Sequence, residues 1–220
     1  MMLRIGALSI GESPRPDLME EIASVVGDER ILQWGALDGL DAADVARTHY
    51  KVPLITKLRG EPVLVERAWM ARRLQELIDR HHSQVDAFVI LCAEDFSALT
   101  APVPLFIPYV LAEAALKAMA FRGQLGVVCP VAGQVPSCRK KWEGKQWNAT
   151  VEVASPYVAE QLDEAVERLV GLGSDLILLD CTSFGRDHAR RLSAVHQKSV
   201  VAVRSFAWAV LQEFLTEDQT

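Results

Sequence analysis

The chain has 220 residues, half of them apolar and 24% charged, enough to bury a sizeable core in one or two globular domains. A formal net charge of −6 argues against a nucleic-acid binder, which usually presents a basic face. No apolar run approaches the roughly 18 residues of a membrane-spanning helix. The start, Met1 to Gly6, runs into a strand pattern without the features of a signal peptide. The four cysteines (Cys92, Cys129, Cys138, Cys181) show neither CxxC pairing nor metal-like spacing with histidine. These features point to a cytoplasmic chain with reduced thiols, no structural metal, and a small molecule or a second copy of itself as partner.

In chain order, Ile5–Ile10 reads as a strand, and Pro14-Arg15-Pro16-Asp17 opens a helix to about Val26, proline being tolerated in a first helical turn. Ile31–Leu37 is a second strand and Asp41–Thr48 a short helix. Leu54–Thr56 and Val63–Val65, flanking Arg59-Gly60, predict a hairpin. Glu66–His82 is helical, with Ala68, Ala71, Leu74, Leu77 and Ile78 on one face. Its His81-His82 end suits the negative pole of the helix dipole.

Ala87–Leu91 is a buried strand ending at Cys92. The proline-rich stretch Pro102–Pro108 reads as a linker, followed by a helix over Tyr109–Ala120. Then come a strand at Leu125–Cys129, a helix at Gln134–Trp142, a strand at Thr150–Val153 and a helix at Val158–Leu172. A strand at Leu176–Leu179 leads to Cys181. A helix near Asp187–Val195, a strand at Val200–Val203 and a helix at Phe206–Leu215 close the chain. Short apolar runs alternating with amphipathic ones predict parallel α/β architecture.

An internal repeat is the most informative feature. Asp86-Ala87-Phe88-Val89-Ile90-Leu91-Cys92 aligns without a gap to Asp175-Leu176-Ile177-Leu178-Leu179-Asp180-Cys181. Ile5-Gly6-Ala7-Leu8-Ser9 aligns more loosely with Leu125-Gly126-Val127-Val128-Cys129. Cys92 lies 87 residues after Ile5, and Cys181 lies 56 after Leu125, the hairpin accounting for much of the difference. Two matches in one order predict two similar lobes about a pseudo-twofold, each with a mainly parallel sheet flanked by helices. The first lobe would span 1–104 with 205–220, and the second 105–204.

Ligands of open parallel sheets sit beyond the carboxyl ends of the strands, where both cysteines stand. Two thiols facing one cleft suit inversion at carbon, in which one group removes a proton and the other delivers one. The plain alternative is that each cysteine is a small hydrophobe at a strand end. For Cys129 and Cys138 the structural reading prevails.

A carboxylate can be held by backbone N–H groups in Gly11–Asp17 together with Ser9, Ser13 and Arg15. Alternatively, Ser13 caps the helix and Arg15 is solvated. Thr182 and Ser183 can supply hydroxyls or a helix cap. Glu94 and Asp95 can orient an amine, repel a second anion, or form an exposed cap. His188 and Lys57 are weaker candidates, for a proton shuttle and for closing over a cleft, against the reading that both are solvated.

These segments resemble the AroM family, a branch of the aspartate/glutamate/hydantoin racemase-like superfamily. The likeness rests on Ile10-Gly11-Glu12-Ser13-Pro14-Arg15-Pro16-Asp17, Thr56-Lys57-Leu58, Leu91-Cys92-Ala93-Glu94-Asp95-Phe96, Gly126-Val127-Val128-Cys129-Pro130 and Leu179-Asp180-Cys181-Thr182. It implies two α/β lobes, no pyridoxal phosphate or other cofactor, a carboxylate-bearing substrate between two cysteines, and a homodimer. The superfamily's amino-acid racemases carry Cys-Asn-Thr at the first thiol and Thr-His after the second. Here Cys92-Ala93-Glu94 and Cys181-Thr182-Ser183 replace them, removing groups that bind an amino acid. The resemblance thus implies a cofactor-independent racemase or isomerase for a small carboxylate. A single-cysteine lyase and a binding protein on the same fold stand as alternatives.

Overall fold

The computed structural model describes residues 3–46, 51–143 and 147–215. The chain forms two compact units: Met1–Cys92, Phe96–Pro108 and Ala207–Thr220 make the first, Ala93–Asp95 and Tyr109–Phe206 the second.

The first unit is built on a parallel four-stranded sheet. β1 (Ile5–Ser9) lies between β2 (Ile31–Gly35) and β5 (Ala87–Leu91), with β6 (Leu105–Phe106) at the edge beyond β5. Every residue of β1 and β5 is buried, as expected for central parallel strands covered on both faces. β6 corrects the linker reading of Pro102–Pro108: proline restricts a strand but is tolerated at a sheet edge, and Leu105 and Phe106 pair with Phe88 and Val89.

α1 (Pro16–Val26) begins with proline and buries Leu18, Met19 and Ile22. α2 (Ala42–Ala46) is a single turn; the predicted extension to Arg47-Thr48 lies outside the described residues. β3 (Pro53–Leu58) and β4 (Glu61–Glu66) form the antiparallel hairpin. Its turn residues Arg59 and Gly60 have φ of +53° and +84°, the paired left-handed conformation that matches strand twist in a two-residue loop. α3 (Arg67–His81) buries Met70, Leu74, Leu77 and Ile78. The predicted Ala68 is exposed, the inward stripe starting instead at Met70.

The second unit repeats the plan. β7 (Gln124–Cys129) lies between β8 (Asn148–Val153) and β9 (Leu176–Leu179), with β10 (Ser199–Ala202) outside β9, all parallel. Numbering strands within each unit and setting the hairpin aside, both sheets run second–first–third–fourth. The repeat read in the sequence is therefore a repeat of topology. Around this sheet stand α4 (Pro108–Ala118), α5 (Val135–Trp142), α6 (Ala159–Gly171) and α7 (Arg186–His196), while the last helix, α8 (Val203–Leu215), belongs from Ala207 onward to the first unit. α8 starts three residues before its predicted Phe206, taking Val203 from the end of the predicted strand. Among the described residues no helix is long and apolar enough to cross a membrane.

Candidate active site

In the first unit, the segment leaving β1 is tied to the segment leaving β2. Ser9, fully buried, accepts the Gly11 N–H on its hydroxyl at 3.0 Å. The Asp38 carboxylate receives the Ser13 N–H (2.8 Å), the Ser13 hydroxyl (2.6 Å) and the Gly35 N–H (2.8 Å). Ser13 thus binds a carboxylate, though one of this chain's own. It does not cap α1, whose N-cap is Arg15 without a side-chain hydrogen bond.

Arg15 is buried rather than solvated. Its backbone N–H donates to Gln33 at 2.9 Å, and its guanidinium forks onto Asp17 at 2.8 and 2.7 Å. That fork holds the Asp17 carboxyl below its ordinary range. The hairpin reaches the same loop: the Arg59 N–H donates to the Glu12 carboxylate. A Cβ on Gly11 would sit 2.5 Å from Thr56 Oγ1, so glycine is what allows this approach. Thr56 Oγ1 is buried with no hydrogen-bond partner among the described residues.

Cys92 follows β5 directly. It is 8% exposed and packs with Phe96, Leu99 and Ile107 at the margin of the first core. Ala93 and Glu94, next in the chain, belong to the second unit. Glu94 is buried, not an exposed cap, and its carboxylate accepts the Asp95 N–H at 2.8 Å.

Cys181 stands two residues past β9, half-buried against the cluster formed by α6, α7 and the sheet. Neither Thr182 nor Ser183 caps α7; its N-cap is Gly185. Thr182 is buried, and its carbonyl accepts from Arg204 Nη1 at 2.7 Å. Ser183 is half-buried. His188 is exposed, with Nδ1 3.3 Å from the Gly185 N–H. Partial burial of its ring among neighbouring side chains, with Arg204 and Arg191 nearby, lowers its pKa.

A dense polar cluster of the second unit has no counterpart in the sequence reading. Lys141, 9% exposed, pairs with Asp180 at 2.7 Å and donates to the Ala93 carbonyl at 2.9 Å. Its ammonium also lies 5.2 Å from the Tyr109 ring centre and 5.7 Å from that of Trp142. Asp180 Oδ2 further accepts from Trp142 Nε1 (2.9 Å) and from the Cys138 thiol (3.4 Å).

Burial disfavours the ammonium, but Asp180, with Glu94 adding to its field, outweighs this and holds Lys141 charged. The contact with Cys129, burial and the Asp180 carboxylate all push the Cys138 thiol up, so it stays protonated. Cys138 therefore belongs to this polar cluster. In the sequence, Arg139-Lys140-Lys141 looks like a solvated basic run. The signal that could have singled out Lys141 is its spacing from Cys138 and beside Trp142, three and four residues on, which puts all three on one helix face.

The family model described as AroM protein matches residues 5–215. This chain belongs to the AroM family. No curated protein matches the sequence. Among solved structures, a liganded mutant of arylmalonate decarboxylase superposes on the AroM chain with a TM-score of 0.69 at 14% identity, covering 100% of this chain and 94% of the other. Glutamate racemase from Campylobacter jejuni gives 0.58 at 20% identity over 99% and 86%. The maleate isomerase Iso from Pseudomonas putida gives 0.57 at 11% identity over 97% and 93%. The AroM chain thus has the same α/β fold as arylmalonate decarboxylase, glutamate racemase and maleate isomerase.

Proposed function

We propose that this AroM protein is a cofactor-independent racemase or isomerase that moves a proton at the carbon beside a small acid's carboxylate. Cys92 and Cys181 act as the two proton-transfer groups. One observation carries the reading: each cysteine stands just beyond the carboxyl end of the third strand in two sheets of one topology. The carboxyl ends of parallel strands are where such folds bind ligands.

In the reaction, one thiolate takes the proton from carbon as electrons shift toward the substrate carboxylate. The other thiol returns a proton from the opposite face. The loop carrying Ser9, Ser13 and Arg15 holds the substrate's carboxylate in exchange for Asp38 and Asp17, the chain's own carboxylates that Ser13 and Arg15 bind. Thr182 and Ser183 supply polar contacts beside Cys181, and Glu94 orients the group farther from the reacting carbon.

One observation favours a second reading. Cys181 is half-buried, whereas Cys92 is nearly covered by apolar neighbours. A decarboxylase needs a single thiol, to protonate the carbanion left after CO₂ departs, and arylmalonate decarboxylase shares the fold.

The test is incubation in D₂O with a panel of dicarboxylic, hydroxy and amino acids, read by proton NMR. Racemisation or isomerisation predicts deuterium at carbon without loss of CO₂, abolished by both Cys92→Ser and Cys181→Ser. CO₂ release that survives Cys92→Ser and not Cys181→Ser would select the lyase. No deuterium uptake and no CO₂ with any acid would overturn both.

A further inference from the structure

Lys141 touches the backbone next to one cysteine and the side chain next to the other. Ala93, whose carbonyl it binds, follows Cys92 in the chain; Asp180, its ion-pair partner, precedes Cys181. Both contacts lie within the second unit. Buried ion pairs are poor stabilisers, and apolar groups of similar size often do as well. The first unit shows the alternative directly, since its repeat places Leu91 where the second has Asp180. Closing the third strand does not require an acid.

We infer that Lys141 and Asp180 form a positioning and charge-setting pair for Cys181, with Lys141 also fixing the backbone that follows Cys92. The inference rests on the reading of Cys181 as a proton-transfer group. An uncancelled carboxylate on the residue before Cys181 would oppose thiolate formation through its field, as like charges do. Lys141 cancels that field, while three donors (Lys141, Trp142 Nε1 and the Cys138 thiol) fix the Asp180 side chain in one orientation. The other charged and titratable groups of this neighbourhood are Glu94 and Tyr109 on the Lys141 side, with Asp95 and Glu113 against Tyr109. Cys129 lies behind Cys138. Beyond Cys181, Arg204 holds the Thr182 carbonyl, and His188 stands on the first turn of α7.

The test is the pH profile of Cys181 alkylation by iodoacetamide in the full-length protein, followed by peptide mass spectrometry, which needs no substrate. Replacing the lysine removes the ammonium that faces the Asp180 carboxylate. Lys141→Met therefore moves the midpoint up by about one pH unit and slows labelling at pH 7 about tenfold. Asp180→Asn, leaving Lys141 uncancelled, moves it down by a similar amount. The double variant returns to within about 0.3 units of wild type.

A folded Lys141→Met protein with the wild-type midpoint would overturn the inference, because a packing role alone leaves the profile unmoved. If Lys141→Met does not fold, Asp180→Asn decides: no downward shift overturns the inference. Full proton exchange in Cys181→Ser would instead sink the functional reading, and the labelling profile would still report whether the pair sets the thiol's acidity.

Discussion

At the scale of single residues, the side chains doing the most specific work are those whose environment departs from their usual one. His81 lies against Trp34, ring centres 4.1 Å apart and nearly parallel. Burial, then Arg80, lower its pKa, and a hydrogen bond with Gln84 only partly opposes this. A histidine with a depressed folded-state pKa favours the fold when neutral. Its contribution is therefore present above about pH 6.5 and is lost as pH falls from there through the lower folded value. NMR titration should place His81 below an ordinary histidine, and Trp34→Ala should bring it back up.

Lys141 gives a larger effect. Removing one member of a buried ion pair strands the other, so Lys141→Met should cost about 3–5 kcal/mol in chemical denaturation. Lys141→Met with Asp180→Leu should recover most of that loss. The sequence places each cysteine at the end of a buried run with a matching partner, and both stand just past those strands. It concealed Lys141, because a lysine within a basic run reads as solvated until the helix face is known. Capping, one alternative for Ser13, Thr182 and Ser183, falls to Arg15 and Gly185 instead, since a polar residue before a helix does not reveal which residue the helix starts from.

At the scale of elements, glycine separates two kinds of constraint. A Cβ on Gly6 would lie 2.5 Å from Phe88 and 3.1 Å from Trp34, so β1 must approach its neighbours closely at this point. Gly60 has nothing within 4 Å, but its φ is +84°. Gly6→Ala should therefore cost about 1–3 kcal/mol through clash, and Gly60→Ala about 1 kcal/mol through backbone strain. Denaturation of both variants checks this order, and a larger cost for Gly60→Ala than for Gly6→Ala would contradict it.

Most elements were legible, because two-residue and 3.6-residue periods are strong signals and Arg59-Gly60 marks its turn. β6 was not. Two residues carry no period, and the surrounding prolines argue against a strand unless its place at the sheet edge is known.

At the scale of the molecule, the repeated strand order gives the two cysteines corresponding places, and the AroM match covers nearly the whole chain. The fold was readable because one buried strand pattern occurs twice in the chain. The reaction was less so, since chemistry depends on where thiols and anion-binding groups stand in space, which strand patterns do not encode. The central claim is that two thiols exchange a proton with a carboxylate-bearing substrate. Its most direct measurement is solvent-deuterium uptake at the carbon beside the carboxylate, compared across wild type, Cys92→Ser and Cys181→Ser. The account predicts uptake in the wild-type protein and loss of at least a hundredfold in each variant. Uptake at the wild-type rate in either variant would contradict it.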